Sequence, residues 1–360
     1  MEKLRVRSSL RLSAVLALAL VPWAARLAAQ DAPARIDSLL RAYADGGRFN
    51  GTALVASGGR VVYEGAFGLV DQDTKTPLTA ATPMRIASVS KAFTSLLVMQ
   101  QVQEGRLRLD EPITTYLPDF RRDTGGRITL RHLLTHRSGL PHDQAGPSVD
   151  YRPEEGLDAD LQAEPGSTFQ YNNRDYYLLA RVLERVTGRP FAELLRERVL
   201  GPAGMAATGV HPYPSLVPGE AVGYAPPDST GLHRAPELDM RHYLGAASMY
   251  STAADLHRFD RALADGRLLS PALRDTMYAP GPGAAAMGSW VYARPFGGGR
   301  RQTLVDRRGA LGGFGAWFLR LPDDDGVIIL LDSHESPALQ EIGEGILTVL
   351  FGTPPPPAGS

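Results

Sequence analysis

The hydrophobic pattern near the amino terminus changes from helical to strand-like. Apolar residues recur at helical spacing over residues 34–43, and four of them share one face: Ile36, Leu39, Leu40 and Tyr43. Residues 52–56 and 60–64 are rich in residues that favour strands, and Ser57-Gly58-Gly59 lies between them as a turn. The sequence therefore predicts a helix followed by a β-hairpin.

The carboxy-terminal third predicts four more strands and a closing helix. The strand-like runs, rich in β-branched and aromatic residues, cover residues 290–293, 302–305, 316–321 and 327–331. The segment Asp323–Gly326 supplies a turn between the last two runs. Apolar residues then return at helical spacing, which predicts a final helix over Leu339 to Leu350.

The middle of the chain has a different pattern. An apolar periodic run over residues 90–103 predicts a largely buried helix, and residues 176–186 predict another. Few strand-like runs occur between about residue 110 and residue 240. Strands from both ends of a sequence can form one antiparallel sheet when the part between them is an inserted helical domain.

These patterns together predict an α+β fold with an antiparallel five-stranded sheet flanked by the N- and C-terminal helices. We expect an α/β domain made from residues 30–109 and 245–352, and an inserted, mainly helical domain over residues 110–244. The proline run at 354–357 predicts a disordered tail over residues 353–360.

The first 29 residues have the pattern of a secretory signal peptide. Basic residues precede a ten-residue apolar stretch, Leu12 to Val21, and Leu27-Ala28-Ala29 offers a cleavage site. The apolar stretch is short for a membrane span, although retention as a single N-terminal anchor is the alternative. We therefore expect a soluble mature protein, periplasmic or secreted, with no stable membrane insertion after cleavage.

Composition excludes several classes of function. The chain has no cysteine, which excludes disulfides, thiol nucleophiles and zinc-thiolate sites. The formal net charge is -1 and no long run of like charges occurs, so we expect no nucleic-acid partner. His132 and His136 have the i, i+4 spacing of helical metal ligands, but no third candidate ligand is near them in sequence. We expect no metal and no cofactor.

The segment Ser88-Val89-Ser90-Lys91 is the first candidate for chemistry. Residues three apart share a helix face, so the Ser88 hydroxyl and the Lys91 amine can meet. A serine hydroxyl becomes a good nucleophile only when a neighbouring base takes its proton. Ser-x-x-Lys also occurs by chance, and Ser88 could be an ordinary helix N-cap. Only three of the 38 basic residues are lysines, however, and one of these is Lys91.

Two further motifs follow in the chain. Tyr171-Asn172-Asn173 offers a phenol that a nearby lysine can favour as phenolate, and an amide for a substrate carbonyl. An aromatic turn that caps a helix is the structural alternative. Arg307-Arg308-Gly309-Ala310 begins a glycine-rich stretch in which a ligand can approach the backbone closely. Its alternative is a bulged strand end with solvated arginines.

The three motifs, in this order, resemble those of the serine β-lactamase and penicillin-binding-protein superfamily, and in particular its class C β-lactamase branch. That branch includes DD-peptidases, esterases and D-aminopeptidases. The resemblance extends to longer segments of the chain, namely 84–94, 128–141, 244–256 and 309–315. It covers nearly all of the chain after the signal, from about Ile36 to Leu350.

The resemblance implies a role for each motif residue. Ser88 would form the acyl-enzyme, Lys91 would help to remove its proton, and Tyr171 would pass that proton to the leaving group and activate water. Asn173 would hold the amide side of the substrate. The resemblance also implies an oxyanion hole formed by the backbone N–H groups of Ser88 and Ala310.

The third motif departs from the family pattern. Arg307 stands where the family usually has lysine or histidine, and it can supply positive charge or bind a carboxylate but cannot exchange a proton. Arg308 stands where a small hydroxyl residue is common, and it changes the rim beside Gly309 and Ala310. The predicted substrate-binding residues are Asn173, Arg307, Gly309 and Ala310.

The resemblance implies an exported serine hydrolase that transfers an acyl group to water. Its substrate would be a small molecule or a fragment related to peptidoglycan: a β-lactam, a D-amino-acid peptide or an ester. The alternative is a catalytically inactive penicillin-binding-like or peptidoglycan-sensing protein. We find no Gly-x-Ser-x-Gly motif, which argues against an α/β-hydrolase fold.

Overall fold

The computed structural model of the chain describes residues 23–142, 149–229 and 231–354. Most of the predicted signal peptide and most of the predicted tail therefore lie outside the described residues. The first described helix begins at Trp23, inside the range predicted for the signal. Within the described ranges, no helix is both long enough and apolar enough to cross a membrane.

The helices differ in length, and five of those in the described residues are long. The longest have the following bounds: α1 Trp23–Asp45, α2 Ser90–Gln103, α5 Asn173–Thr187, α8 Ala253–Ala264 and α10 Ala338–Phe351. The shorter ones are α3 Arg122–Gly125, α4 Leu130–Leu134, α6 Phe191–Leu195, α7 Gly201–Ala203 and α9 Pro271–Met277. The helix predicted over residues 90–103 has those bounds in the structure, and the others predicted are present with longer ends.

The strands lie mostly near the two ends of the chain. The first group is β1 Gly51–Ser57, β2 Arg60–Phe67, β3 Leu69–Asp71, β4 Thr76–Pro77 and β5 Met84–Arg85. Short strands in the middle are β6 Gly209–Val210, β7 Tyr224–Asp228, β8 Gly231–Arg234 and β9 Met249–Ser251. The last group is β10 Trp290–Pro295, β11 Arg301–Leu311, β12 Phe314–Leu321 and β13 Gly326–Asp332.

Strands from both ends of the chain form one antiparallel sheet, as the sequence predicts. The order of the main sheet among the described residues is β10-β11-β12-β13-β1-β2. The first strand of the N-terminal hairpin joins the C-terminal strands because β1 pairs with β13, with Leu54 opposite Ile329. The α+β architecture with flanking terminal helices is confirmed.

The predicted number of strands needs a correction. The sheet has six strands rather than five, because all six strand-like runs of the sequence pair into it. The strand β10 forms one edge, where it pairs with residues 301–306 of β11 and leaves residues 307–311 to extend beyond it. That extension carries the third motif.

The two faces of the sheet are covered by different helices. Trp317, Leu319 and Ile328 pack with α1 and α10 on one face. Phe318 and Ile329 pack with α2, α5 and α8 on the other. Every residue of β12 and β13 is buried, which explains their largely apolar sequence. Helices α3 to α7 lie between residues 110 and 244, and the domain boundaries given above remain a prediction.

The packing of α10 on the sheet depends on a glycine. A Cβ atom at Gly343 would overlap the ring of Trp317. We expect Gly343→Ala to lower the free energy of unfolding by about 1 to 3 kcal/mol, since overpacking a filled core forces side chains or backbone to move. Denaturant unfolding followed by circular dichroism measures the change.

The matched control is Gly345→Ala in the same helix. A Cβ atom at Gly345 would approach only the Cδ2 end of Leu39, at 2.7 Å, and this flexible side chain can move aside. Alanine also favours the helix over glycine by up to about 1 kcal/mol. Equal destabilisation by both substitutions would contradict the account of the Trp317 contact.

Candidate active site

Ser88 lies at the junction between a short strand and a buried helix. The strand β5 ends at Arg85, a single 3-10 turn covers Ala87–Val89, and α2 begins at Ser90. Ala87 has φ 44°, a left-handed conformation that is costly for a residue with a side chain. Ser90 Oγ donates to the Ala87 carbonyl at 2.7 Å and accepts from Met249 N at 3.2 Å, so this turn is held from within. The Ser88 side chain itself is half-buried.

Lys91 lies one helical turn after Ser88 and is completely buried. Its Nζ is 3.2 Å from Ser88 Oγ. The same nitrogen donates to Asn173 Oδ1 at 2.7 Å and to the Ala246 carbonyl at 3.0 Å. The pairing of Ser88 with Lys91 that their spacing predicts is therefore present, with Asn173 and Ala246 fixing the position of the amine.

Tyr171 approaches Ser88 from the opposite side. Its hydroxyl is 2.7 Å from Ser88 Oγ and accepts a hydrogen bond from Arg307 Nη2 at 2.8 Å. Burial of the phenol raises its pKa, but the positive charges of Arg307 and Lys91 outweigh this effect and lower the pKa of Tyr171 to about 8. The site therefore holds a phenol that can lose its proton near neutral pH, in hydrogen-bonding distance of the candidate nucleophile.

Arg307 connects the two residues. Its Nε donates to the Ser88 carbonyl at 2.7 Å, while its Nη2 binds the Tyr171 hydroxyl. The guanidinium is buried and lies 5.1 Å from the centre of the Trp290 ring. Arg307 is absent from the lining of the cavity described below. This geometry favours positive charge beside Tyr171 over binding of a substrate carboxylate.

Gly309 allows β11 to run beside the Ser88 turn. A Cβ atom at Gly309 would lie 2.7 Å from Ser88 N and 2.6 Å from the Ile86 carbonyl oxygen, which only glycine avoids. Ala310, the next residue, is exposed at the cavity wall. The strand thus brings Ala310 to the side of Ser88, where the oxyanion hole is predicted.

Asn173 begins α5, and Asn172 caps this helix by accepting from Arg174 N at 3.1 Å. The carbonyl oxygen of Asn173 is held by Lys91. Asn173 is not among the residues that line the cavity described below, so its contact with a substrate remains a prediction. The motif acts both as a helix cap and as a part of the site, so its two interpretations are compatible.

His136 packs directly behind Tyr171, with ring centres 4.4 Å apart. Its Nδ1 lies 3.2 Å from both Asn172 N and Asp175 Oδ2, and burial holds its pKa well below the usual range. His132 serves another element, because its Nδ1 accepts from the Thr129 N–H. Within the described ranges, no group of three or more His, Cys, Asp or Glu residues is placed to hold a metal.

A cavity of about 640 Å³ opens beside Ser88 and Tyr171. The two predicted motif residues Gly309 and Ala310 line it. Gly315, Ala316 and Trp317, which follow in the predicted glycine-rich stretch, line it as well. Sequence reasoning missed the rest of the wall: Trp290, Asp306, Glu335, Ser336, Pro337, Leu339 and Gln340. The available signal was the polar segment Ser333–Ser336 between the last strand and the last helix, since such loops often carry function.

Arg308 belongs to the same wall but points away from Arg307, as adjacent strand residues do. Its guanidinium donates to Asp306 Oδ2 at 3.1 Å and to Gln340 Oε1 at 2.8 Å, and it lies 4.3 Å from the centre of the Trp317 ring. The charge of Arg308 is therefore balanced inside the wall. This arrangement disfavours Arg308 as a receptor for a substrate carboxylate.

Comparison with known proteins identifies the family. The family model described as Beta-lactamase matches residues 36–346. The chain belongs to the beta-lactamase family. The resemblance to the serine β-lactamase and penicillin-binding-protein superfamily is confirmed.

Individual members of the beta-lactamase family are similar over different parts of the chain. PbpX of Bacillus subtilis (strain 168), which carries the name of a penicillin-binding protein, is 31% identical over 250 residues, 69% of this chain and 63% of PbpX. Esterase EstB of Burkholderia gladioli is 36% identical over 217 residues, 54% of this chain and 55% of the esterase. The chain thus matches less than two thirds of the length of both relatives.

Solved structures match nearly the whole fold. D-amino acid amidase from Ochrobactrum anthropi SV3, complexed with L-phenylalanine amide, is 25% identical with a TM-score of 0.77, covering 89% of this chain and 98% of the amidase. An octameric penicillin-binding protein homologue from Pyrococcus abyssi is 24% identical with a TM-score of 0.78. The match covers 89% of this chain and 78% of the homologue, and at this identity it shows only that the two proteins share a fold.

The site geometry predicts a specific requirement for lysine at position 91. We expect Lys91→Arg to slow the reaction of Ser88 with a fluorophosphonate probe by at least about 100-fold, because the larger guanidinium does not fit the buried contacts that hold Nζ beside Ser88 and Asn173. Mass spectrometry of the labelled Ser88 peptide against time measures the rate.

Lys75 supplies the control, since it is exposed in the turn between β3 and β4. Lys75→Arg should leave the labelling rate unchanged. Unfolding temperatures of both variants separate a chemical effect from loss of the fold. Normal labelling of a folded Lys91→Arg variant would contradict the role of the amine.

Proposed function

We propose that this chain is an exported serine hydrolase that transfers the acyl group of an ester or amide to water through an ester on Ser88. One observation carries the proposal: Ser88 Oγ lies within hydrogen-bonding distance of both Lys91 Nζ and Tyr171 OH. Export rests on the predicted signal peptide, and a periplasmic or secreted location is part of the proposal.

In acylation, Tyr171 acts as the base. With its pKa lowered to about 8, a useful fraction of the phenol is ionised near neutral pH and can accept the Ser88 proton. Ser88 Oγ then bonds to the acyl carbon, and the carbonyl oxygen becomes an oxyanion that the Ser88 and Ala310 N–H groups stabilise. Loss of one such donor typically costs about 3 kcal/mol in the barrier. Collapse breaks the bond to the leaving group, which takes the proton from Tyr171.

Deacylation repeats these steps with water as the nucleophile. Tyr171 removes a proton from the water, the water oxygen bonds to the acyl carbon, and the bond to Ser88 Oγ breaks as Ser88 regains a proton. Lys91 and Arg307 contribute by keeping positive charge beside Tyr171 through both halves of the reaction. Neither cation needs to leave its buried position.

The wall of the cavity supports esters and amides without a carboxylate near the reacting bond. The wall is largely apolar, and Trp290, Trp317 and Leu339 are among the residues that line it. Arg307 and Arg308 are both bound within the protein, so neither is placed to receive a carboxylate. The family relatives named as an esterase and a D-amino acid amidase support the same two classes of acyl donor.

The predicted alternative was a penicillin-binding-like protein without turnover. The contacts of Ser88 with Lys91 and Tyr171 support turnover over this alternative. A protein that acylates and then stops would be labelled at Ser88 but would release no second equivalent of product.

We expect Ser88→Ala to abolish labelling by a fluorophosphonate and to lower the hydrolysis of a 4-nitrophenyl ester by at least about 1000-fold, since the acyl-enzyme cannot form. Mass spectrometry and release of 4-nitrophenol measure the two effects. A panel of one ester, one D-amino-acid amide and one β-lactam identifies the acyl donor.

Ser336→Ala is the control, because Ser336 lines the same cavity but its hydroxyl donates to the Arg48 carbonyl, away from any lysine. This variant should be labelled at Ser88 as before. Labelling without continued turnover on all three substrates would favour the inactive alternative. Turnover that survives in Ser88→Ala would refute the proposed mechanism.

A further inference from the structure

Glu335 is a carboxylate in the wall of the cavity that holds Ser88. Its backbone has φ 45°, a left-handed conformation that is uncommon for a residue with a side chain. One carboxylate oxygen, Oε2, accepts from Gly313 N at 2.8 Å, in the turn between β11 and β12. Glu335 therefore sits at the end of the strand that passes Ser88.

Hydrogen bonds to the buried side chain of Asp332 fix the backbone that carries Glu335. Asp332 is completely buried and accepts from Asn50 N at 3.0 Å and from Ser336 N at 2.8 Å. These two bonds tie the segment between β13 and α10 to the start of β1. Glu335 is thus presented by a rigid segment, as a residue that selects ligands has to be.

Glu335 has no ion-pair partner among the described residues, unlike the other charged groups of the cavity. Arg308 and Asp306 neutralise each other in the wall. The two cations near Ser88, Lys91 and Arg307, are bound to Ser88, Tyr171 and Asn173. The second oxygen of Glu335 has no hydrogen-bond donor in the described part of the chain. A partly buried carboxylate without a cation is costly unless a ligand supplies one.

The cavity is consequently polarised along its length. Positive charge lies behind Ser88, and negative charge lies at Glu335. Gly309 marks the Ser88 end and Gly313 marks the other end of the same stretch of β11 and its turn. Four residues at about 3.3 Å each place these ends at most about 13 Å apart. Between them the wall is largely apolar.

We propose that Glu335 selects substrates that carry a cationic amine several bonds from the reacting carbonyl, on the far side of an apolar linker. The inference rests on the hydrolase proposed above and names the substrate class of that site. An ammonium group would bind the second oxygen of the Glu335 carboxylate. A substrate with a carboxylate at the same position would meet like charge and be disfavoured.

The test uses three 4-nitrophenyl esters that differ only at the far end of the chain: 8-aminooctanoate, nonanoate and the monoester of nonanedioate. The fully extended amino ester reaches about 10 Å from its carbonyl, which suits the length of the cavity. A second series places the same three end groups on the alcohol side, with a short acyl group. Both series measure kcat/KM at neutral pH and low ionic strength.

We expect the unaltered enzyme to prefer the ammonium ester over the carboxylate ester by at least tenfold in one of the two series, with a preference that falls as salt is added. Glu335→Gln keeps an acceptor for Gly313 N but removes the charge. It should lower the ratio of kcat/KM for the ammonium ester to that for the neutral ester about tenfold.

Glu64→Gln is the matched control, because Glu64 is exposed on β2, the opposite edge strand of the sheet. It should leave the ratio unchanged. Hydrolysis of the neutral ester without any preference for the ammonium ester in either series would overturn the role of Glu335 and leave the hydrolase intact. Absence of hydrolysis for every ester in the unaltered protein would instead count against the proposed function. If Glu335→Gln does not fold, the preference and its salt dependence in the unaltered enzyme decide the matter.

Discussion

The guanidinium of Arg307 holds together two parts of the chain that the rest of the site depends on. Its Nε binds the Ser88 carbonyl and its Nη2 binds the Tyr171 hydroxyl. Ser88 belongs to the start of α2, Tyr171 to the segment before α5, and Arg307 to β11. A single rigid cation therefore joins the sheet to the helical part of the molecule, and it also keeps the pKa of Tyr171 low.

The alternation of a β-strand explains how two adjacent arginines come to differ in role. Arg307 and Gly309 face the Ser88 turn, where the charge and the lack of a side chain are each required. Arg308 faces the opposite side of the sheet, where it pairs with Asp306 and lies over Trp317. Arg307 and Arg308, which depart from the family pattern, are thus both bound within the protein, and neither leaves its positive charge unbalanced in the cavity.

Local patterns predicted much of this molecule. The helix that follows Ser88 has the bounds that its apolar period predicts, and the spacing of Ser88 and Lys91 brings their side chains together. The far wall of the cavity could not be predicted in this way. Contacts such as Arg308 to Gln340 and Gly313 to Glu335 join residues 32 and 22 positions apart, with β12, β13 and the turn between these strands intervening, and no local period marks them. The sequence predicts six strand-like runs but a sheet of only five strands. Which strands pair with each other is not visible in a single segment of sequence, so the sixth strand of the sheet could not be predicted.

The central claim is that buried positive charge keeps the phenol of Tyr171 ready to exchange a proton with Ser88. Carbon-13 NMR of protein labelled at tyrosine Cζ follows each phenol through its own titration, and Tyr171→Phe assigns the signal. The account predicts that the Tyr171 signal titrates near pH 8 and that Arg307→Gln moves this titration to higher pH. A Tyr171 signal that titrates at or above the ordinary value of about 10 would contradict the account.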